Sequence, residues 1–123
     1  PESYTIRTKA GTHTIAPFTL AVTNCDQYGN NAYVSPGAMV DDGELDLTAM
    51  PSVGLMRSIP LLAQLFTNRL DQNTSVHRQR SKVFEIDRKQ SGLIHTDGEP
   101  WQAGANLTVK VRPGCLRVMV PAN

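Results

Sequence analysis

Two acidic turns are the parts of this sequence whose residue types could do chemistry. The first is Asp41-Asp42-Gly43-Glu44-Leu45-Asp46 and the second is Asp97-Gly98-Glu99. Asp followed by Gly favours a sharp reversal, because Gly accepts a positive φ and Asp can hydrogen-bond to its own backbone. A carboxylate at such a tip is held at a fixed angle and stays open to solvent, metal or substrate. We therefore expect the chemistry of this chain at these two turns.

Composition narrows the classes of function. The 123 residues fit one domain. Twelve basic and eleven acidic residues give a net charge of +1, and the basic residues are scattered, which argues against nucleic acid as a partner. Cys25 and Cys115 form no Cys-x-x-Cys pair and no Cys/His cluster for zinc, so we expect a reducing, cytoplasmic setting.

Neither a membrane span nor a targeting segment is apparent in the sequence. The longest apolar stretch, near residues 59–66, is shorter than the roughly 20 residues that cross a bilayer. No signal-peptide pattern opens the chain. We therefore expect a protein that is soluble or peripheral at a membrane. The chain begins at Pro1 rather than Met, so we expect it to be a fragment of a longer protein.

Strand patterns position both turns. Alternating polar and apolar residues, with turn signals every ten or so residues, predict a mainly β fold, either an antiparallel two-sheet β-sandwich or a distorted barrel. The predicted strands cover residues 4–8, 12–16, 18–23, a short one at 32–34, then 45–50, 76–80, 82–87, 91–96, 106–111 and 116–120.

One stretch, after the fifth predicted strand, has helical period. Its apolar residues recur at three- and four-residue spacings, at Leu55, Ile59, Leu62, Phe66 and Leu70. Ser52 can cap its start. Pro60 interrupts it, so we expect a kink near Arg57 or two short helices, the second capped by Ser58. The stripe, with Met56, could line a lipid entrance, but docking of the helix on a sheet is the commoner use.

A series of motifs between Asn24 and Asp46 resembles one family. Asn24, Tyr28-Gly29-Asn30, Ser35-Pro36-Gly37-Ala38 and Asp42-Gly43-Glu44-Leu45-Asp46 are similar to the Asn, Gly-Gly-Gly, Pro-x-Ala and Asp-Gly-x-Leu-Asp stretch of the diacylglycerol kinase, sphingosine kinase and bacterial lipid kinase family. The helical stretch, the Asp97-Gly98-Glu99 element and the closing strands follow in the same order. The resemblance covers nearly the whole chain. Gly29-Asn30-Asn31 departs from the family's glycine run, although Asn tolerates left-handed backbone.

The resemblance implies a part of a lipid kinase. In this family a separate α/β domain binds the nucleotide with a Gly-Gly-Asp-Gly-Thr loop, and no such motif occurs in this sequence. Residues 1–123 would then be the C-terminal, mostly β domain, inactive and unable to bind ATP without the N-terminal ATP-binding domain. The implied reaction transfers the γ-phosphate of ATP to a lipid hydroxyl, with diacylglycerol as acceptor, Mg²⁺ as cofactor and transient contact with a membrane surface.

Residue roles follow from the same resemblance. Glu99 would accept the proton or organise the waters of the magnesium ion, and Asp97 is the alternative holder of that role. At the first turn the resemblance implies a structural Mg²⁺, held by the Asp42 carboxylate and the backbone carbonyls of Met39 and Glu44, which are oxygen ligands that suit a hard cation. The alternatives are a hairpin turn with solvated carboxylates at the second turn and an ion-free Asx turn at the first.

A second class of function stays open. His13, His77 and His95 are separated in sequence and lack a visible Ser, Cys or Asp partner, so a hydrolytic triad has little support. A non-catalytic β-sandwich module for a sugar or lipid would use the acidic turns to bind calcium or nothing, and Trp101 could stack on a sugar. A Gly-rich phosphate loop encoded upstream of Pro1 would favour the kinase over this module.

Overall fold

The alternating residues form strands along most of the chain. The computed structural model describes residues 2–29 and 31–119. Within these residues the elements are β1 (Tyr4–Thr8), β2 (Gly11–Ile15), β3 (Pro17–Thr23), β4 (Leu45–Pro51), α1 (Leu55–Phe66), a 3₁₀ turn (Leu70–Gln72), β5 (His77–Ser81), β6 (Val83–Arg88), β7 (Gly92–Thr96), β8 (Glu99–Ala103) and β9 (Asn106–Lys110).

Two antiparallel sheets enclose one apolar core. The first sheet has the order β2-β1-β6-β9 and the second has the order β3-β4-β5. The core joins both sheets: its buried members are Ile6, Phe84 and Ile86 from the first sheet and Leu45, Leu47 and Ala49 from the second. Burial of each large apolar side chain stabilises the fold by about 1.5–3 kcal/mol. This arrangement confirms the antiparallel β-sandwich, and the described strands close no barrel.

Polar side chains of β1 and β2 in the first sheet contact polar side chains of β5 in the second sheet. Gln79 Nε2 donates to Thr8 Oγ1 at 2.6 Å. The rings of His13 and His77 lie 5.4 Å apart. His13 is opposite the core residue Ile6 in the strand register, so the two side chains lie on the same face of the sheet, where His13 is exposed. His13 and His77, which are 64 positions apart in sequence, thus meet across the two sheets.

A long connection between β3 and β4 covers the outer face of the second sheet. Thr23 Oγ1 donates to Ser35 Oγ at 2.8 Å, and Ser35 Oγ lies 3.0 Å from Thr48 Oγ1. The short strand predicted at 32–34 is only a single bridge, from Tyr33 to Gln27. The Tyr33 N–H instead donates to a carbonyl at the end of α1. The helix therefore follows the fourth strand of the structure rather than a fifth.

Helix α1 is uninterrupted from Leu55 to Phe66, so the expected split into two short helices is not observed. It begins at Leu55, and Gly54 rather than Ser52 is its N-cap residue. Ser58 is inside the helix, where its Oγ donates to the Leu55 carbonyl at 2.6 Å instead of capping a second helix. Pro60 is also inside. Proline there removes the backbone donor to the carbonyl four residues before it and crowds that carbonyl, yet the helix continues on either side.

Two strand predictions near the end of the chain need correction. Strand β8 was not predicted, because Pro100 breaks the alternating pattern. Pro100 lies opposite His95, next to the hydrogen-bonded pair that closes the hairpin, so its missing N–H points away from β7 and costs no ladder bond. The strand predicted at 116–120 is not formed over 116–119, and Val120 lies outside the described residues.

Candidate functional site

The second acidic turn is the tip of a hairpin made by β7 and β8. Thr96 pairs with Glu99, so Asp97 and Gly98 form a two-residue loop. Both loop residues have positive φ, 50° for Asp97 and 88° for Gly98, as a type I′ turn requires. Asp97 and Glu99 are exposed. The turn therefore presents two carboxylates to solvent at a fixed spacing, as the Asp-Gly pattern predicts.

The two faces of this hairpin differ in what surrounds Glu99. Residues two apart on a strand share a face, so Glu99 lies on the face that carries Trp101. Pairing of β7 with β8 adds Thr96 and Ile94 to that face. His95 is opposite Pro100 on the other face. An exposed apolar ring and a carboxylate thus share one surface, while the imidazole lies on the surface away from Glu99.

Arg88 fastens the base of the hairpin to the sandwich. Its side chain, at the end of β6, is only 9% exposed. Its Nε donates to the carbonyl of Gly104 at 3.0 Å, and its Nη2 donates to the carbonyls of Gly92 and Ala103, each at 2.8 Å. Hydrogen bonds from a charged donor are stronger than neutral ones. Within the described residues β7 and β8 pair only with each other, so these bonds, with that from the Arg88 N–H to the Ala105 carbonyl, tie the base of the hairpin to β6.

Sequence reasoning missed Arg88, although a signal exists. Phe84 and Ile86 are buried on β6, and the two-residue period places Arg88 on the same inward face. An arginine at an inward position must find acceptors, because a buried unpaired charge is costly. The acceptors, however, are backbone carbonyls up to 16 residues further along the chain, and no sequence pattern identifies them.

The first acidic turn has the geometry of an Asx turn. The Glu44 N–H donates to Asp42 Oδ1 at 2.9 Å. Gly43 between them has a φ of 73°, in the left-handed region that glycine enters without strain. The turn is therefore formed by its own residues, whether or not an ion binds to it.

Arginines on β5 surround the carboxylates of this turn. Arg80 Nη1 lies 3.6 Å from Asp42 Oδ2, and Arg80 Nε lies 3.3 Å from Asp46 Oδ1. Asp46 is 6% exposed and also has Arg78 Nη2 at 3.9 Å. Its charge is thus compensated by two guanidinium groups. Asp46 is not available to an ion at this turn, because its carboxylate is buried and already paired.

The predicted Mg²⁺ site at the first acidic turn has three oxygen ligands, from Asp42, Met39 and Glu44. In the predicted site Asp42 would contribute a carboxylate, and Met39 and Glu44 would contribute backbone carbonyls, which are the ligand types that a hard cation accepts. No group of three His, Cys, Asp or Glu side chains is placed to hold a metal within residues 2–29 and 31–119. The ligand types fit a water-rich magnesium ion. Such an ion would share Asp42 Oδ2 with the Arg80 guanidinium, whose positive charge opposes it.

The sequence of this chain matches one protein family and several known proteins. Residues 1–120 match the model of the YegS C-terminal NAD kinase beta sandwich-like domain. A protein of Pseudomonas fluorescens named "Probable lipid kinase YegS-like" is 34% identical over 102 residues, which are 83% of this chain and 33% of that protein. The protein of the same name from Pseudomonas putida is 36% identical over 107 residues, or 84% of this chain and 32% of that protein. This chain spans about a third of the length of these relatives.

Solved structures support the fold. A crystal structure described as a diacylglycerol kinase from Bacillus anthracis superposes with a TM-score of 0.63 at 14% identity, covering 94% of this chain and 44% of that one. A second structure from the same organism has a TM-score of 0.68 at 18% identity and covers 94% of this chain and 42% of the other. Within the described part of this chain, no helix has the length and apolar character that crossing a bilayer requires.

Proposed function

We propose that this chain is the acceptor-side domain of an ATP-dependent lipid kinase. The chain belongs to the family of YegS C-terminal NAD kinase beta sandwich-like domains, which is the starting point of this proposal. The observation that carries the proposal is the family match over nearly the whole chain, together with relatives whose name is lipid kinase. The proposed acceptor is diacylglycerol and the proposed donor is ATP, held mainly by an N-terminal domain that this chain does not include.

Glu99 is the proposed catalytic residue. Phosphoryl transfer to an alcohol needs a group that removes the hydroxyl proton, and an exposed carboxylate at a rigid tip can approach a bound lipid without losing its place on the domain. Asp97 is the alternative acceptor of that proton, two residues away on the same turn. A magnesium ion bound with ATP would neutralise charge on the phosphate oxygens. The hairpin's part is to bring a carboxylate to the acceptor hydroxyl.

Placement of this carboxylate depends on the sandwich. The short loop keeps Asp97 and Glu99 from drifting along the strands, and the Arg88 hydrogen bonds hold the hairpin base at β6. Catalysis by positioning loses its advantage when the reacting groups are displaced by about 1 Å. In this proposal the β-rich domain contributes to the rate by fixing where the carboxylate stands.

The first acidic turn is proposed as a structural site. Asp42, Met39 and Glu44 supply its oxygens, and a bound Mg²⁺ would stabilise the connection that covers the second sheet. The arginine beside Asp42 makes this a weak site, because a divalent ion and a guanidinium compete for one carboxylate. No step of the phosphoryl transfer depends on it.

Direct measurement of transfer tests the function. The complete gene product that contains residues 1–123 is given γ-labelled ATP, Mg²⁺ and diacylglycerol in mixed micelles, and labelled phosphatidic acid is separated and counted. Monoacylglycerol, sphingosine and glycerol alone serve as competing acceptors. Transfer to diacylglycerol supports the proposal. Absence of transfer to every lipid, with retained binding to lipid or sugar ligands, would leave the non-catalytic binding module as the better reading.

A further inference from the structure

Helix α1 turns its apolar stripe toward solvent. The exposed fractions of its outward side chains lie between 53% and 83%, for Leu55, Met56, Ile59, Leu62 and Phe66. The other side of the helix carries the half-buried residues Ser58, Leu61, Gln64 and Leu65, of which Gln64 Oε1 accepts from Asn73 Nδ2 and the Leu65 carbonyl accepts from the Tyr33 N–H. Docking on a sheet, the commoner use of such a stripe, is therefore not how this face is used within the described residues. The described residues leave this face uncovered.

The stripe is continuous and narrow. At 100° per residue, Leu55, Ile59, Leu62 and Phe66 fall within an arc of about 60° along three turns. Strand β3 adds one more exposed apolar side chain near the start of the helix. Pro17 pairs with Pro51, the last residue of β4, and the adjacent Phe18 is 79% exposed. An exposed apolar stripe such as that of α1 marks an interaction site.

The charges in and around α1 favour an anionic lipid surface as the partner of the stripe. From Leu47 to Leu70 the sequence contains two charged residues, Arg57 and Arg69, and no Asp or Glu. A segment with apolar side chains and only positive charge is attracted to anionic lipid headgroups and is not repelled by them. An acidic protein surface would also attract the arginines, but it would not cover five large apolar side chains.

We propose that α1 is a membrane-docking helix, which lies in the plane of an anionic bilayer and buries its apolar stripe at the boundary between headgroups and acyl chains. The inference rests on the proposed function in one respect, since a lipid acceptor resides in a membrane. The helix would bring the acidic hairpin's domain to that surface. Other occupants, such as the remainder of the polypeptide or a second copy of the chain, are outcomes of the test below.

Vesicle binding by the complete gene product tests the inference. Sedimentation with vesicles of phosphatidylcholine and phosphatidylglycerol is compared with sedimentation with phosphatidylcholine alone. Ile59→Ser combined with Leu62→Ser should weaken binding to the anionic vesicles by at least about tenfold, because two buried apolar side chains are lost. The matched control, Leu116→Ser with Val118→Ser, removes two exposed apolar side chains outside the helix and should leave binding unchanged.

Two further sets of variants test the same docking helix. Leu55→Ser, at the most exposed position of the stripe, guards against a double variant that does not fold, and it should also weaken binding. Arg57→Gln with Arg69→Gln should weaken binding to anionic vesicles and leave the weaker binding to neutral vesicles unchanged. Equal binding by the wild-type and stripe variants would overturn the inference.

Hydrogen exchange separates the membrane from the other occupants. In the wild-type protein, peptides spanning α1 should gain protection when anionic vesicles are added. Protection that is already complete without lipid would mean that polypeptide covers the stripe, and the inference would be wrong. Transfer to a short-chain, water-soluble diacylglycerol distinguishes the two proposals: activity without vesicle binding overturns the docking helix alone, and vesicle binding without activity toward any lipid overturns the kinase alone.

Discussion

Arg88 Nη2 donates to the carbonyl oxygen of Ala103 at 2.8 Å, which joins the end of β6 to the last residue of β8. A buried guanidinium therefore supports the hairpin that carries Asp97 and Glu99 at its far end. The same group reaches the carbonyls of Gly92 and Gly104, so one side chain holds both strands of the hairpin at their base.

Removing this guanidinium should loosen the hairpin. Arg88→Met keeps the apolar stem and leaves three carbonyls without their donor, so we expect the free energy of unfolding to fall by at least about 2 kcal/mol. Hydrogen exchange should accelerate across residues 92–103 more than across β1. Arg88→Lys keeps the charge but not the planar fork, and should recover only part of the loss. Equal acceleration in both regions would show that Arg88 supports the whole fold and not the hairpin.

Charge removal at the hairpin tip tests the proposed catalysis. Glu99→Gln in the complete gene product keeps the shape of the side chain and removes its ability to take a proton. We expect kcat for diacylglycerol to fall by about a hundredfold or more, with the melting temperature nearly unchanged. Glu85→Gln, an exposed glutamate on β6, is the matched control and should retain activity. Near wild-type turnover by Glu99→Gln would remove Glu99 from the mechanism.

Asp97 combines a backbone role with a proposed chemical one. Its φ of 50° is left-handed, a region that Asn enters more easily than Ala. Asp97→Ala should therefore cost stability, on the order of 1 kcal/mol, while Asp97→Asn should not. If the carboxylate matters for chemistry, both variants lose activity. Thermal unfolding and initial rates, measured on the same preparations, separate the two roles.

The magnesium proposal at the first turn predicts a stability difference between buffers. An ion that binds only the native state adds stability by mass action. Asp42→Ala should lower the melting temperature more in Mg²⁺ than in EDTA, whereas Asp41→Ala, at the neighbouring exposed carboxylate, should shift it equally in both. Arg80→Gln should strengthen the magnesium effect, because the competing positive charge is gone. Equal shifts for Asp42→Ala in the two buffers would mean that the turn holds no ion.

The raised pKa of Tyr4 predicts that the protein loses stability at alkaline pH. Burial raises the pKa of this phenol above its usual value, and its hydrogen bond to Glu2 Oε2 at 2.9 Å raises the pKa further. The native state therefore holds the proton more tightly than the unfolded state does. The resulting stability is fully present below the unfolded pKa of about 10 and is lost as pH rises through the higher native value. Urea unfolding above pH 10 should show a smaller loss for Tyr4→Phe than for wild type or for Tyr28→Phe.

Local patterns predicted the scaffold well where one face of a strand is buried. Alternation identified the strands that supply Ile6, Leu47 and Phe84 to the core, because period-two burial is written directly into the sequence. It failed at Pro100, where the pairing partner rather than the local pattern makes a strand. It failed also at the helix, since the spacing from Leu55 to Phe66 shows an apolar face and not what covers that face.

The site was predictable only as isolated pieces. Asp-Gly dipeptides predicted both turns, whereas the roles of Asp97, Glu99 and Asp42 stay predictions. Their surroundings depend on registers between distant strands. Asp46 is opposite Arg80 because β4 pairs with β5, and no local signal specifies that pairing. Contacts of this kind, including that of His13 with His77, arise from topology and become visible only in the folded chain.

The two-residue loop of the β7–β8 hairpin makes the reach of Glu99 a stepwise quantity. Adding one residue to each strand would carry the tip about 3.3 Å further from Arg88 and turn the carboxylate to the opposite face; adding two would carry it about 7 Å and restore the face. Intermediate positions of Glu99 are not available while the hydrogen bonds between β7 and β8 are intact. Strand length in this hairpin thus sets the reach of Glu99 in discrete steps, and under the proposed function a change of strand length would alter in whole steps the depth at which an acceptor hydroxyl can be met.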